Sequence, residues 1–123
     1  MDLDSKMDAL FGAFTRQDPA DVRALCADGF WARQNGSPPV GLDDMLDMID
    51  QAYWQPRLRV SYGNIRRVTT DTASVEQHDV TLTNPAGTQV TIDVCVVVRF
   101  DDEEQIVSIE EYADTSQLAP LFA

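Results

Sequence analysis

Residues 73–113 read ASVEQHDVTLTNPAGTQVTIDVCVVVRFDDEEQIVSIEEYA, and side chains of opposite character alternate along most of this stretch. Alternation with a period of two is typical of half-buried β-strands. It predicts strands over 73–83, 88–100 and 105–113, joined by a tight turn at 84–87 and an acidic turn at 101–104. A similar pattern over 57–68 predicts a further strand. The second half of the chain is therefore expected to form an antiparallel meander.

The first half of the chain has the period of helices. One apolar stripe predicts a helix over 3–16, and Asp18 followed by Pro19 is expected to begin a second helix that ends at Gly29. A short strand over 30–34, a third helix over 42–52 and an amphipathic tail over 117–122 complete the pattern. Helices followed by a meander predict one α+β domain over 1–123. Three N-terminal helices pack in the concave face of a curved, mostly antiparallel sheet, which makes a cone-shaped α+β barrel.

Composition excludes several classes of partner. The 123 residues include 21 acidic and 9 basic side chains, a net charge of −12, and a strongly acidic chain repels nucleic acids and anionic membrane surfaces. No apolar run reaches the roughly 18 residues of a membrane span. A basic cluster at Arg57, Arg59, Arg66 and Arg67 is expected to be neutralised by acidic neighbours. The acidic opening of the chain differs from a basic leader peptide, so a cytoplasmic location is expected.

The two cysteines give no indication of a metal or disulfide framework. Cys26 and Cys95 lie far apart in apolar patterns, and no Cys/His cluster has the spacing of metal ligands. We expect buried free thiols, no metal site and no cofactor.

Strand parity points to Glu111 as a candidate site residue. Glu111 shares a strand face with Val107 and Ile109, and burying an ionised carboxylate is costly. One interpretation is a general acid or base in an apolar cavity. The alternative is a residue at the end of the strand that reaches solvent past the rim.

A second strand supplies possible partners for Glu111. Gln77 and Asp79 share one face of the strand over 73–83, and His78 lies on the opposite face. If Asp79 faces the same cavity as Glu111, the two carboxyls can share one proton, with the Gln77 amide between them. His78 is interpreted as a structural, hydrogen-bonded residue. Asp93 is compatible with either the cavity or solvent.

Two short motifs resemble a known superfamily. I-E-E-Y-A-D at 109–114 is similar to a W-R-D-Y-F-D motif. V-E-Q-H-D-V at 75–80, followed by N-P-A-G at 84–87, resembles T-E-R-V-D-V followed by L-P-T-G. The two reference motifs, W-R-D-Y-F-D and T-E-R-V-D-V with L-P-T-G, are those of the SnoaL and limonene epoxide hydrolase branch of the nuclear transport factor two-like superfamily. This superfamily has a cystatin-like cone fold and also includes ketosteroid isomerases. The order of segments resembles this superfamily over nearly the whole chain.

The resemblance implies roles for individual residues. The two catalytic carboxylates of the hydrolase fall on Asp79 and Glu111, and Gln77 stands where the hydrolase has a bridging arginine. A neutral amide does not supply the charge of that arginine, so this position departs from the epoxide hydrolase mechanism. Gln34 or Asn35 would position the attacking water. The first helix lacks the tyrosine of ketosteroid isomerases.

These inferences lead to a functional hypothesis with alternatives. Asp79 and Glu111, with Gln77, are expected to perform acid/base chemistry of the isomerase, cyclase or epoxide hydrolase type on a small hydrophobic substrate. The alternatives are a non-catalytic small-molecule-binding protein and a dimeric interaction module. The residues expected to line the substrate cavity are Phe11, Phe14, Trp31, Gln34, Trp54 and Ile109. A homodimer is expected through an outer sheet face carrying Val80, Leu82, Ile92, Val94, Val96 and Val98.

Overall fold

Two capped helices open the fold. The computed structural model describes residues 2–123, beginning with α1 (Leu3–Thr15) and α2 (Pro19–Leu25). The Asp2 carboxylate accepts a hydrogen bond from the Ser5 backbone N–H at 2.7 Å and caps α1. The Asp18 carboxylate caps α2 in the same way, by accepting from the Asp21 backbone N–H. These caps satisfy backbone donors that have no partner within the helix. Both helices begin where the sequence predicts.

Six strands form one curved sheet. They are β1 (Cys26–Gln34), β2 (Val40–Gly41), β3 (Arg59–Thr69), β4 (Ala73–Thr83), β5 (Gln89–Phe100) and β6 (Ile106–Ala113). Their order is β2-β1-β6-β5-β4-β3, and every neighbouring pair is antiparallel except β1 and β6. The predicted α+β fold with a curved, mostly antiparallel sheet is confirmed.

The start of β1 differs from the prediction. The sequence predicts that α2 ends at Gly29, but the strand already begins at Cys26, and Gly29 has a φ of 79° within it. The register of β1 against β6 shifts between Cys26 and Trp31. A left-handed glycine at such an irregularity lets the strand bend without a steric cost. The two-residue β2 is too short for its alternation to be recognised.

Hydrogen bonds from Asn35 stabilise the end of the parallel pairing between β1 and β6. The Asn35 side chain donates to the Ala113 carbonyl at 2.9 Å and accepts from the Ala113 N–H at 3.0 Å. The Asn35 backbone N–H also donates to the Glu111 carbonyl at 2.8 Å. These bonds hold the last residues of both strands side by side.

Helices cover one face of the sheet, here called the inner face. Helix α3 (Leu42–Ile49) continues into a π-helical turn over Asp50–Trp54, and a 3₁₀ helix over Thr115–Phe122 ends the chain. Asn84 donates to the Leu121 carbonyl at 2.9 Å and ties this last helix to the β4–β5 turn. No helix within residues 2–123 is long and apolar enough to cross a membrane.

The apolar residues expected on the outer face lie on the inner face instead. Leu82, Ile92, Val94, Val96 and Val98 are buried in the core between the sheet and the helices, and Val80 packs against that core. Because burial of apolar surface dominates folding, the apolar side of each strand turns toward the helices. That part of the dimer prediction is wrong.

The outer face is held together by an ion-pair cluster. Glu110 accepts from Arg33 of β1 at 2.8 Å and from Arg99 of β5, so three strands are joined. The hydrogen bond from Arg33, and then that from Arg99, lowers the pKa of Glu110. Tyr112 lies beside this cluster, and the Arg33 guanidinium is 5.8 Å from the Trp31 ring centroid.

The cysteines are free thiols, and both are half-buried rather than fully buried. Burial raises the pKa of the Cys26 thiol to about 11. A thiol with a raised pKa is a poor nucleophile at neutral pH.

Candidate functional site

A cavity of about 420 Å³ lies between the inner face and helices α1 and α3. Five of the six residues expected to line it do so: Phe11, Phe14, Gln34, Trp54 and Ile109. The exception is Trp31, which does not line the cavity. Ala32 and Gln34 are on the inner side of β1, so the alternation places Trp31 on the outer side. The volume suits a small organic ligand.

His78 is the central polar group of this wall. Its side chain is 1% exposed, and its ring lies 5.0 Å from the Phe11 ring and 4.9 Å from the Tyr62 ring, both edge to face. Its Nδ1 lies 2.5 Å from a carboxylate oxygen of Glu76. Within residues 2–123, no protein group hydrogen-bonds Nε2. This nitrogen is therefore available to a ligand in the cavity.

Glu76 is a buried carboxylate with both oxygens occupied. One oxygen faces His78, and the other accepts from Arg67 Nε at 2.8 Å and lies 2.7 Å from Arg67 Nη2. Arg67 also donates to Asp8 at 2.8 Å and to the Asp4 carbonyl at 3.2 Å, both on α1. A carboxylate only accepts, so Nδ1 of His78 carries the proton. Nε2 is then the nitrogen that carries the lone pair in this tautomer.

Glu111 is the acidic side chain that lines the cavity. It is half-buried and accepts a hydrogen bond from the Gln34 amide at 2.6 Å. Burial first, and then the charge of Glu111, raises the pKa of both Tyr53 and Tyr62. Both phenols therefore stay protonated at neutral pH and can donate hydrogen bonds. The wall thus combines one basic imidazole, one carboxylate and two neutral phenols.

Asp79 and Gln77 do not face the cavity, so that prediction is wrong. Asp79 lies on the outer face, accepts from the Asn64 amide and stands opposite Asp93 across β4 and β5. The Asn64 hydrogen bond lowers the pKa of Asp79, and the hydrogen bond with Asp79 raises that of Asp93. Gln77 is exposed opposite Cys95. Neither residue can meet Glu111.

The face of β4 that the sequence analysis assigns to the cavity is the wrong one of the two. The motif V-E-Q-H-D-V turns Glu76 and His78 inward rather than Gln77 and Asp79. The sequence does contain the information that decides the face, because Val80 and Leu82 share the parity of His78, and an apolar strand face packs on the core.

Within residues 2–123, no group of three His, Cys, Asp or Glu side chains is placed to hold a metal ion.

Comparisons with known proteins agree on the architecture. A family model described as a SnoaL-like domain matches residues 7–109. A Mycobacterium tuberculosis epoxide hydrolase described as LEH-like shares 19% identity with a TM-score of 0.74, covering 94% of this chain and 85% of its own. A candidate SnoaL-like polyketide cyclase of Shewanella denitrificans shares 10% identity with a TM-score of 0.83, covering 98% and 96%. At these identities the likeness shows the fold. No curated protein matches the sequence.

Proposed function

This chain belongs to the SnoaL-like domain family, and from that premise we propose that it is a small enzyme that transfers protons on a hydrophobic substrate. The observation that carries the proposal is the buried His78, held by Glu76 at 2.5 Å with Nε2 left free in an apolar cavity. A carboxylate behind a histidine fixes its tautomer and stabilises the imidazolium that forms when the ring accepts a proton.

The cavity groups divide the work of proton abstraction next to a carbonyl. Nε2 of His78 removes a proton from the carbon beside the carbonyl, and the electron pair moves onto the carbonyl oxygen. The neutral Tyr62 phenol, which borders the His78 ring, donates a hydrogen bond to that oxygen. With a conjugated substrate, the resulting dienolate takes this proton back from Nε2 at a more distant carbon, as in an isomerase. Alternatively, the enolate carbon attacks a second carbonyl, whose oxygen then takes the proton from Nε2, as in a cyclase. Glu111 is the second acid/base group.

The test is deuterium exchange on a panel of small apolar ketones. The protein is expected to exchange their α-hydrogens in D₂O faster than buffer alone, as followed by proton NMR. Tryptophan fluorescence reports binding in parallel, because Trp54 lines the cavity. Ketones that bind without faster exchange would contradict catalysis and indicate a binding protein instead.

We propose further that the protein is a homodimer through its outer face, with a different set of residues from those first expected. Val68 is 71% exposed, Tyr112 43% and Val75 40%, all on the outer face. Val68 and Val75 are directly paired across β3 and β4. Exposed apolar side chains that are neighbours on a sheet favour association.

Light scattering is expected to give twice the 13.7 kDa chain mass at micromolar concentration. The Val75→Asp variant should be monomeric and give the mass of a single chain, because it places a charge within the proposed interface. Phe122→Asp, at an exposed position of the last helix, is the matched control and should remain dimeric. A monomeric wild-type protein would contradict the assembly.

A further inference from the structure

A second pocket, here called the arginine pocket, lies on the other side of Trp54. It has a volume of about 490 Å³ and is separate from the proposed catalytic groups. Its lining residues are Gln17, Trp54, Arg57, Leu58, Arg59, Asn84, Pro85 and Gly87. Trp54 is the residue that this pocket shares with the cavity.

The two arginines of this pocket carry uncompensated charge. Within residues 2–123, neither Arg57 nor Arg59 forms an ion pair or a side-chain hydrogen bond, although the chain has 21 acidic residues. Arg67, from the same basic cluster in the sequence, contacts three carboxylates. The expectation that acidic neighbours neutralise the cluster therefore holds for Arg67. It is wrong for Arg57, Arg59 and Arg66, and of these Arg57 and Arg59 line the pocket.

The backbone around this pocket is in an uncommon conformation. Gln17 has a φ of 57° and Arg57 a φ of 62°, in the left-handed region that costs energy for residues other than glycine. Both turns are fixed, since the Gln17 N–H donates to Phe14 at 3.1 Å and the Arg57 N–H donates to Trp54 at 3.0 Å. Residues held in this way cluster at ligand sites.

We propose that the arginine pocket binds a small molecule through an oxyanion, either a phosphate or a carboxylate group. The guanidinium groups of Arg57 and Arg59 are the donors, because the planar set of N–H groups on a guanidinium matches the spacing of the oxygens in a phosphate or carboxylate group. Asn84 shapes the pocket but is already bonded to Leu121 and Thr88. The net charge of −12 opposes binding only weakly, because salt at about 0.1 M screens charges more than roughly 10 Å away.

Trp54 provides an optical test of this proposal. In a Trp31→Phe background Trp54 is the remaining tryptophan, and phosphate or acetate is titrated at ionic strength held constant with chloride. A saturable change in fluorescence is expected with at least one of them, and the stronger binder identifies the group. Arg57→Gln and Arg59→Gln should each weaken binding about tenfold.

Two further variants test whether the anion binds in the arginine pocket rather than elsewhere on the protein. Arg66→Gln is the matched control, because Arg66 is an exposed arginine on the outer face, and binding should be unchanged. His78→Asn should also leave anion binding unchanged. A failure of the catalytic proposal can therefore be distinguished from a failure of the anion-binding proposal. The absence of a saturable response to either anion, or an equal loss in all three arginine variants, would overturn the proposal.

Discussion

Replacing Arg67 with methionine is expected to lower the free energy of unfolding by about 3–5 kcal/mol. Among residues 2–123, Arg67 is the only Lys or Arg side chain within 4 Å of the buried Glu76 carboxylate, whose other oxygen faces the His78 ring. Methionine fills similar space but leaves that carboxylate without its main counter-charge. The substitution also removes the contacts of Arg67 with Asp4 and Asp8 that join α1 to the sheet. Urea denaturation followed by circular dichroism measures the change.

Arg66→Met is the control for this result, because it makes the same substitution one residue earlier, on the opposite face of β3. Arg66 is exposed and forms no ion pair among the described residues, so a change within about 0.5 kcal/mol is expected. The double variant Arg67→Met with Glu76→Gln should regain part of the lost stability, since a neutral amide needs no counter-charge. Equal effects of the two methionine substitutions would refute the proposed role of Arg67.

His78→Asn is expected to slow the ketone exchange by about 10²- to 10⁴-fold, the usual contribution of a positioned acid or base. The asparagine amide can replace Nδ1 as a donor to Glu76, but it has no counterpart of Nε2. Stability and ligand binding should therefore change much less than the rate. Proton NMR in D₂O gives the rate, and Trp54 fluorescence gives the binding.

Asp79→Asn is the matched control for catalysis. It neutralises the carboxylate next to His78 in the sequence, but that carboxylate lies on the outer face with Asn64. Exchange should proceed at the wild-type rate. A loss of exchange in Asp79→Asn equal to that in His78→Asn would remove the support for His78 as the base.

Much of the fold was predictable because alternation and capping are local signals. The predicted bounds of β4 match the structure, and those of β5 and β6 are within one residue. β1 was predicted too short, because its first half contains an irregularity whose partner strand is almost 80 residues away. Sequence near Gly29 is equally compatible with the end of a helix.

The candidate site was predictable only in part. Parity places Glu111 beside Ile109 on the cavity wall, but it does not say which face of β4 points inward. The apolar character of Val80 and Leu82 decides this, and it favours His78 over Asp79. Tyr53 lies in the π-helical turn, which has no recognisable period in the sequence. The free charge of Arg57 and Arg59 depends on tertiary contacts, and these cannot be read from local sequence.

The parallel pairing of β1 with β6 also has a consequence for the order of folding. Gln34 and Glu111, which meet on the cavity wall, are 77 residues apart in the chain, whereas β4 and β5 are joined by a tight turn. Closing a long loop costs more entropy than closing a hairpin, so contacts between distant residues form late and slowly. The hairpins of the meander are thus able to form before β1 arrives. The cavity wall acquires Gln34 only in that late step, so a partly folded chain holds Glu111 without its amide partner.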